Sequence, residues 1–177
     1  MHRLFAALPS PIEVTDALLD TMDGIEGARW QGEEQLHVTL RFAGELDPRQ
    51  GEDLVTALSR VESPAFDLEI RGVGHFERKG RPHTLWAGIA PSEPLAVLQR
   101  RVERACRAAG LAPETRKFVP HVTLARLNSG SGPIGGWLAD HALLSAGPWR
   151  VESFALYESR LTPYGSDYER LEDFALR

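Results

Sequence analysis

Two copies of one tetrapeptide carry the clearest chemistry in this sequence: His37-Val38-Thr39-Leu40 and His121-Val122-Thr123-Leu124. In an extended strand, residues i and i+2 share a face and sit about 6.6 Å apart, so each copy presents an imidazole and a hydroxyl in one direction. If the two strands face one another across a cleft, two imidazoles and two hydroxyls surround a single small centre, and a phosphate meets that demand. One imidazole can withdraw a proton from an attacking water while the other, across the phosphorus, donates one to the departing oxygen. An unperturbed pKa near 6.5 permits either role near neutrality. The Thr39 and Thr123 hydroxyls would donate to the non-bridging oxygens. A lone His on a strand is ordinarily structural or solvated, but surface decoration has no reason to recur with its Thr partner.

Competing chemistries fit less well. Zinc wants a third protein ligand, and the i+2 position is Thr in both copies, so the sequence calls for no metal and no cofactor. No Gly-x-Ser-x-Gly is present, and the only cysteine, Cys106, falls within a predicted helix as packing or surface.

The elements that must hold these motifs repeat in order. Leu4 to Leu8 reads as a short buried strand. Ser10-Pro11-Ile12-Glu13 offers a capping box for a helix over about 11–22. Residues 36–42 alternate, with His37, Thr39 and Arg41 on one side and Val38, Leu40 and Phe42 on the other. That parity makes Arg41 the simple geometric candidate for a phosphate and assigns Phe42 to packing. Asp47-Pro48-Arg49-Gln50 opens a second helix, and Phe66–Ile70 is a strand. Thr84–Ala90, a helix from Ser92 to Ala109 stopped by Gly110, the strand 120–127, a helix near 136–144, and strands at 151–157 and 168–176 follow. A shift of 84 residues places His37 on His121, the helix at 11–22 on 95–106, and the strand at 66–70 on 150–154. The reading is one domain, 1–177, made of two duplicated β-α-β-α-β lobes.

Composition agrees with a globular chain: 177 residues, 42% apolar and 25% charged. A formal net charge of -5 gives no global positive field for a nucleic-acid backbone, so any phosphate site is local. One cysteine excludes an intrachain disulfide and fits a reducing cytoplasm, and the apolar run at the start ends at Pro9, too short for a signal peptide or a membrane span.

The paired motifs, with RLFAAL at the start, LHVTLRFAGEL and PHVTLAR, resemble the 2H phosphoesterases, and within them the RNA 2',3'-cyclic phosphodiesterase or LigT-like branch, also called 2'-5' RNA ligase-like. The resemblance covers nearly the whole chain. It implies an α+β, bilobal, internally duplicated fold, with two antiparallel sheets, outer helices and a central cleft. The implied reaction is hydrolysis of the 2',3'-cyclic phosphate at an RNA or oligonucleotide end to a 2'-phosphate, with weak, reversible 2'-5' ligation. His37 and His121 are then the acid/base pair, Thr39 and Thr123 hold phosphate oxygens, and Arg126 matches the Arg of the second motif. An ideal strand would turn Arg126 away from His121, so a bulge or strand end is required there.

Phe42, Phe118, Trp30, Tyr157 and Tyr164 are candidates to stack a base, an interaction of about 1–3 kcal/mol. His2, His75, His83 and His141 lack a Thr partner and read as structural or surface. Arg71, Arg78, Lys79 and Arg81 form a Gly-punctuated basic stretch that reads first as a solvated hairpin and second as a guide for an RNA end. Rival readings are an enzyme of the same site acting on 2'-5' oligoadenylate or ADP-ribose cyclic phosphate, and a non-catalytic RNA-end binder. One cleft within one chain makes a monomer sufficient.

Overall fold

The computed structural model describes all 177 residues. One antiparallel sheet organises them. Its first half comprises β1 (His2–Pro9), β3 (His37–Leu46), β8 (Ser153–Thr162) and β9 (Gly165–Ala175), and its second half β4 (Phe66–Arg78), β5 (Arg81–Ile89), β6 (His121–Arg126) and β7 (Ser145–Val151). The order is β7-β4-β5-β6-β3-β1-β8-β9, with the two-residue β2 (Arg29–Trp30) pairing β6 from the side. The two expected sheets are therefore continuous, but only through a single bridge, Val38 to Val122, between the two strands that carry the His-Val-Thr motifs.

Four helices complete the fold: α1 (Ile12–Leu19), α2 (Pro48–Ser59), α3 (Glu93–Ala108) and α4 (Gly135–Asp140). Helices α2 and α3 pack on each other and on the first half of the sheet, with α3 also reaching β4 of the second, while α1 lies against β7. Trp137 of α4 is buried and donates its indole N–H to the Thr21 carbonyl at 2.8 Å, tying α4 to the segment after α1. Leu54 and Leu58 of α2, Leu95, Leu98 and Val102 of α3, and Val38, Leu40, Val122 and Leu124 of the motif strands share one apolar core. The helices thus cover the side of the sheet that Val38 and Val122 face, leaving His37 and His121 on the other. No helix is long and apolar enough to cross a membrane.

The caps explain where the helices begin. Asp47 accepts from the Gln50 N–H and Gln50 returns the bond to the Asp47 N–H, as the sequence predicts. Ser92 caps α3 through the Leu95 N–H. Ser10 does not cap α1: Pro11 occupies that position and the Ser10 hydroxyl is buried without a partner, because β1 runs to Pro9 and carries Ser10 with it. Helix α1 is accordingly shorter than the expected 11–22.

The decisive local feature is a pair of bulges. Along β1 and β3, Ala7 faces Thr39 and Ala6 faces Arg41, so Leu40 is an extra residue. Along β5 and β6, Trp86 faces Thr123 and Leu85 faces Ala125, so Leu124 is extra. Leu40 and Leu124 are related by the 84-residue shift. Each bulge reverses the in-out parity of the residues after it. Burial along 37–42 and along 121–126 is then the same: half-buried, buried, half-buried, buried, buried, exposed.

Candidate active site

With Val38 opposite Val122, the antiparallel register sets His37 beside Thr123 and Thr39 beside His121. Four polar groups alternate around a square on the exposed face of the joint. The two histidines are diagonal neighbours, about 7–8 Å apart at the backbone in a regular ladder.

The His121 Nδ1–H donates to the Val119 carbonyl at 2.6 Å, and the backbone of Gln35, again two residues upstream, favours the charged form of His37. Donation from Nδ1 of His121 leaves its Nε2 as the atom free to exchange a proton. Aromatic rings fix the planes. His37 stacks on Phe5 at 4.9 Å and meets the edge of Tyr168 at 5.3 Å, while Tyr157 lies against both Phe5, at 5.2 Å, and His37, at 6.2 Å. His121 meets Phe76 edge-on at 4.9 Å, with Trp86 at 6.1 Å.

The sequence of this chain matches the model of the 2'-5' RNA ligase superfamily over residues 17–162. The chain belongs to that superfamily. Its relatives include the RNA 2',3'-cyclic phosphodiesterase of Aeropyrum pernix, 32% identical over 142 residues that span 78% of this chain and 81% of the relative. The protein of the same name from Thermotoga maritima is also 32% identical, over 82% of this chain and 78% of the relative. Among solved structures, a Thermus thermophilus protein superposes with a TM-score of 0.82 at 29% identity, over 99% of this chain and 98% of that one. E. coli LigT complexed with 3'-AMP superposes at 0.78 with 24% identity, over 99% and 98%. The expected α+β, LigT-like fold is therefore the fold observed.

Within this superfamily fold, the bulge at Leu124 resolves the geometry of Arg126. The extra residue returns Arg126 to the face of His121, where it donates to the Thr84 hydroxyl at 3.0 Å and acts electrostatically on both His37 and His121. The matching bulge at Leu40 overturns the parity reading of its neighbours. Arg41 is turned to the helix side, 7% exposed, and bonds to Glu103 of α3 and to the Phe42 and Ala112 carbonyls, so it is no phosphate ligand. Phe42, assigned to packing by parity, is 51% exposed and lies 5.8 Å from Phe5 at the mouth of the cleft.

The other stacking candidates divide. Phe118, half-buried, lines a cleft of about 330 Å³ together with Thr39, Phe42, Phe76 and His121. Tyr157 is half-buried beside both Phe5 and His37, and burial raises its pKa, keeping it a neutral phenol. Trp30 and the exposed Tyr164 line a second recess of about 260 Å³ with Arg126 and Tyr168, on the opposite flank of the joint. Phe5, Phe76, Trp86 and Tyr168 were not singled out by sequence. Phe5 sits inside an unbroken apolar run, which offers no alternation to mark the residue that faces the site. Cys106 is buried on α3 and its thiol is pushed up to about 11 by burial, so it is an inert packing residue.

Burial lowers both imidazole pKa values. For His37 it outweighs the Gln35 bond, and the positive charge of His121 and Arg126 adds to it, bringing the value to about 4. For His121 burial again leads, opposed by the Val119 carbonyl and reinforced by Arg126. Both rings are neutral at pH 7 in the free protein.

Proposed function

We propose that this chain hydrolyses the terminal 2',3'-cyclic phosphate of RNA to a 2'-phosphate by metal-independent acid/base catalysis between His37 and His121. The observation that carries the reading is the diagonal placement of two imidazoles on one face of the joint between the sheet halves. Relatives named RNA 2',3'-cyclic phosphodiesterase support the choice of substrate.

In the proposed step, the oxygen of a water attacks phosphorus as its proton passes to the neutral imidazole. The bond from phosphorus to O3' breaks, O3' takes the proton of the imidazolium, and a 2'-phosphate beside a 3'-hydroxyl remains. Thr39, Thr123 and Arg126 donate to the non-bridging oxygens as charge develops there. A 5'-hydroxyl in place of the water gives a 2'-5' linkage by the same displacement, the weak ligation. The equivalence of the two halves under the 84-residue shift, including both bulges, supports an internal duplication. A site complete within one chain supports a working monomer.

Incubating the protein with a cyclic-phosphate oligonucleotide in excess chelator should give a 2'-phosphate end. An end that stays cyclic, or a 3'-phosphate product, contradicts the proposal, and binding without product identifies a non-catalytic RNA-end binder. Side-by-side kcat/KM values with 2'-5' oligoadenylate and ADP-ribose cyclic phosphate rank the rival substrates.

The pH dependence follows from the two pKa shifts. The working form carries one proton on the pair. It is lost to double protonation as pH falls toward the His37 value of about 4, and lost to double deprotonation as pH rises through the His121 value, which lies below 6.5. The kcat/KM profile is expected to be a bell centred below pH 6.5. The alkaline limb of kcat should lie at higher pH, because bound phosphate favours the imidazolium. A kcat/KM maximum above pH 8 would rule this pairing out.

A further inference from the structure

The hairpin joining β4 to β5 contains a basic cluster that the two-histidine chemistry does not use. We propose that this hairpin and the groove beside it hold the RNA strand upstream of its cyclic end, so that the substrate is an oligonucleotide chain rather than a mononucleotide. This inference rests on the activity proposed above.

Continuity is the first argument. His83 of β5 lines the cleft that contains Thr39, Phe118 and His121, and it also lines a wider groove of about 880 Å³ bounded by Arg78, Arg81, Asn128 and Ser131. A strand whose last phosphate sits at the histidines therefore meets the groove at His83, the residue the two share. Along β5, Arg81 lies five residues from Trp86, the residue paired with Thr123, or about 17 Å at strand spacing. That distance carries the groove beyond the terminal nucleotide.

Charge is the second. No acidic residue lines the groove. Farther back on β4, Arg71 and His75 each have a carboxylate within 4 Å, Glu69 and Glu77 respectively, whereas Arg78, Lys79 and Arg81 are exposed without one. In a chain of net charge -5, such a local excess of unpaired cations is suited to phosphodiesters.

Local geometry is the third. The hairpin closes through the two-residue turn Lys79-Gly80, both with positive φ (53° and 77°), a primed turn that matches strand twist. It sets Arg78 directly opposite Arg81. Like charges facing across a strand pair are unfavourable, and a bound phosphate between them removes that cost. The opposite wall is tied to β5 by the Leu127 N–H bond to the His83 carbonyl, and its loop is closed by Ser131 and Asn128.

The test compares the unaltered chain with Arg78→Glu/Arg81→Glu, both positions being exposed and outside the catalytic residues. Two substrates are used: a mononucleotide 2',3'-cyclic phosphate, and an oligonucleotide of about ten residues with the same end, a length within single-strand site sizes. The variant should raise KM for the oligonucleotide about tenfold or more at low salt, and leave kcat/KM for the mononucleotide within about twofold. Anisotropy of a labelled oligonucleotide bearing the 2'-phosphate end needs no turnover. Its salt slope should fall by about 0.7 for each phosphate that the variant no longer neutralises. Equal effects on both substrates, or an unchanged oligonucleotide KM and salt slope, overturn the groove. Absence of turnover of either substrate by the unaltered chain overturns the activity instead, and the anisotropy comparison still decides the groove.

Discussion

Alanine at His37 or at His121 is expected to lower kcat for a cyclic-phosphate oligonucleotide by about 10²- to 10⁴-fold with little change in KM, because each ring moves a proton in the transition state. The double variant should be scarcely worse than the weaker single one, since the two groups act as a unit. Structural damage is checked by melting curves: both side chains lie half-buried on the open face, and Phe5, fully packed beneath His37, remains in place. The roles separate with a cyclic substrate whose bridging O3' is replaced by sulfur. A thiolate leaves without a proton, so the variant lacking the acid regains turnover while the variant lacking the base does not. Equal recovery in both variants, or full activity of either on the natural ester, would show that the rings do not divide the work across one phosphorus atom.

The part of this site legible in sequence was the part that depends on strand parity over short distances. His37 with Thr39, and His121 with Thr123, needed only the two-residue repeat of an extended chain, and their shared face follows from it. The helices that back the sheet were legible through Asp47, Gln50 and Ser92, whose side chains satisfy orphan N–H groups whatever the tertiary context. Parity failed four and more residues past each histidine, because neither Leu40 nor Leu124 is a residue type that marks a bulge. Arg41 and Phe42 were exchanged in consequence. Arg126 was recoverable only as a contradiction, a phosphate ligand five residues from its histidine. Strand β7 was missed because Gly147 and Pro148 punctuate it like a loop, and β2 because two residues cannot establish a period. Phe76 and Trp86 belong to strands of the second half that reach His121 across the sheet, a relation set by pairing register and invisible along the chain.

The ion pair that displaced Arg41 from the site has its own consequence. Arg41 donates to both carboxylate oxygens of Glu103 and to the Phe42 and Ala112 carbonyls, and Glu103 also accepts from the Glu114 N–H and from Arg107. Burial alone would raise the Glu103 pKa, yet the Arg41, Glu114 and Arg107 bonds bring it below the ordinary 4.5. These bonds clamp α3 to β3 and to the loop at 110–120, which includes Val119, the residue whose carbonyl holds His121. Arg41→Ala removes one partner of a buried pair and strands two carbonyls, a change expected to cost about 3–5 kcal/mol, at about 2–4 °C of Tm for each kcal/mol in a chain of this size. Arg41→Met with Glu103→Leu should cost less than the single change, because no buried charge is left alone. In the unaltered protein the Glu103 contribution is fully present above its unfolded pKa and is lost as pH falls through its lower folded value, so the stability gap between wild type and Arg41→Ala should narrow in acid. Melting curves across pH test this, and a gap that stays constant down to about pH 2, below the folded carboxylate range, would place the stabilisation in packing rather than in charge. Because the clamp also sets Val119, the surviving folded fraction of Arg41→Ala should show a lower kcat than its folded concentration accounts for.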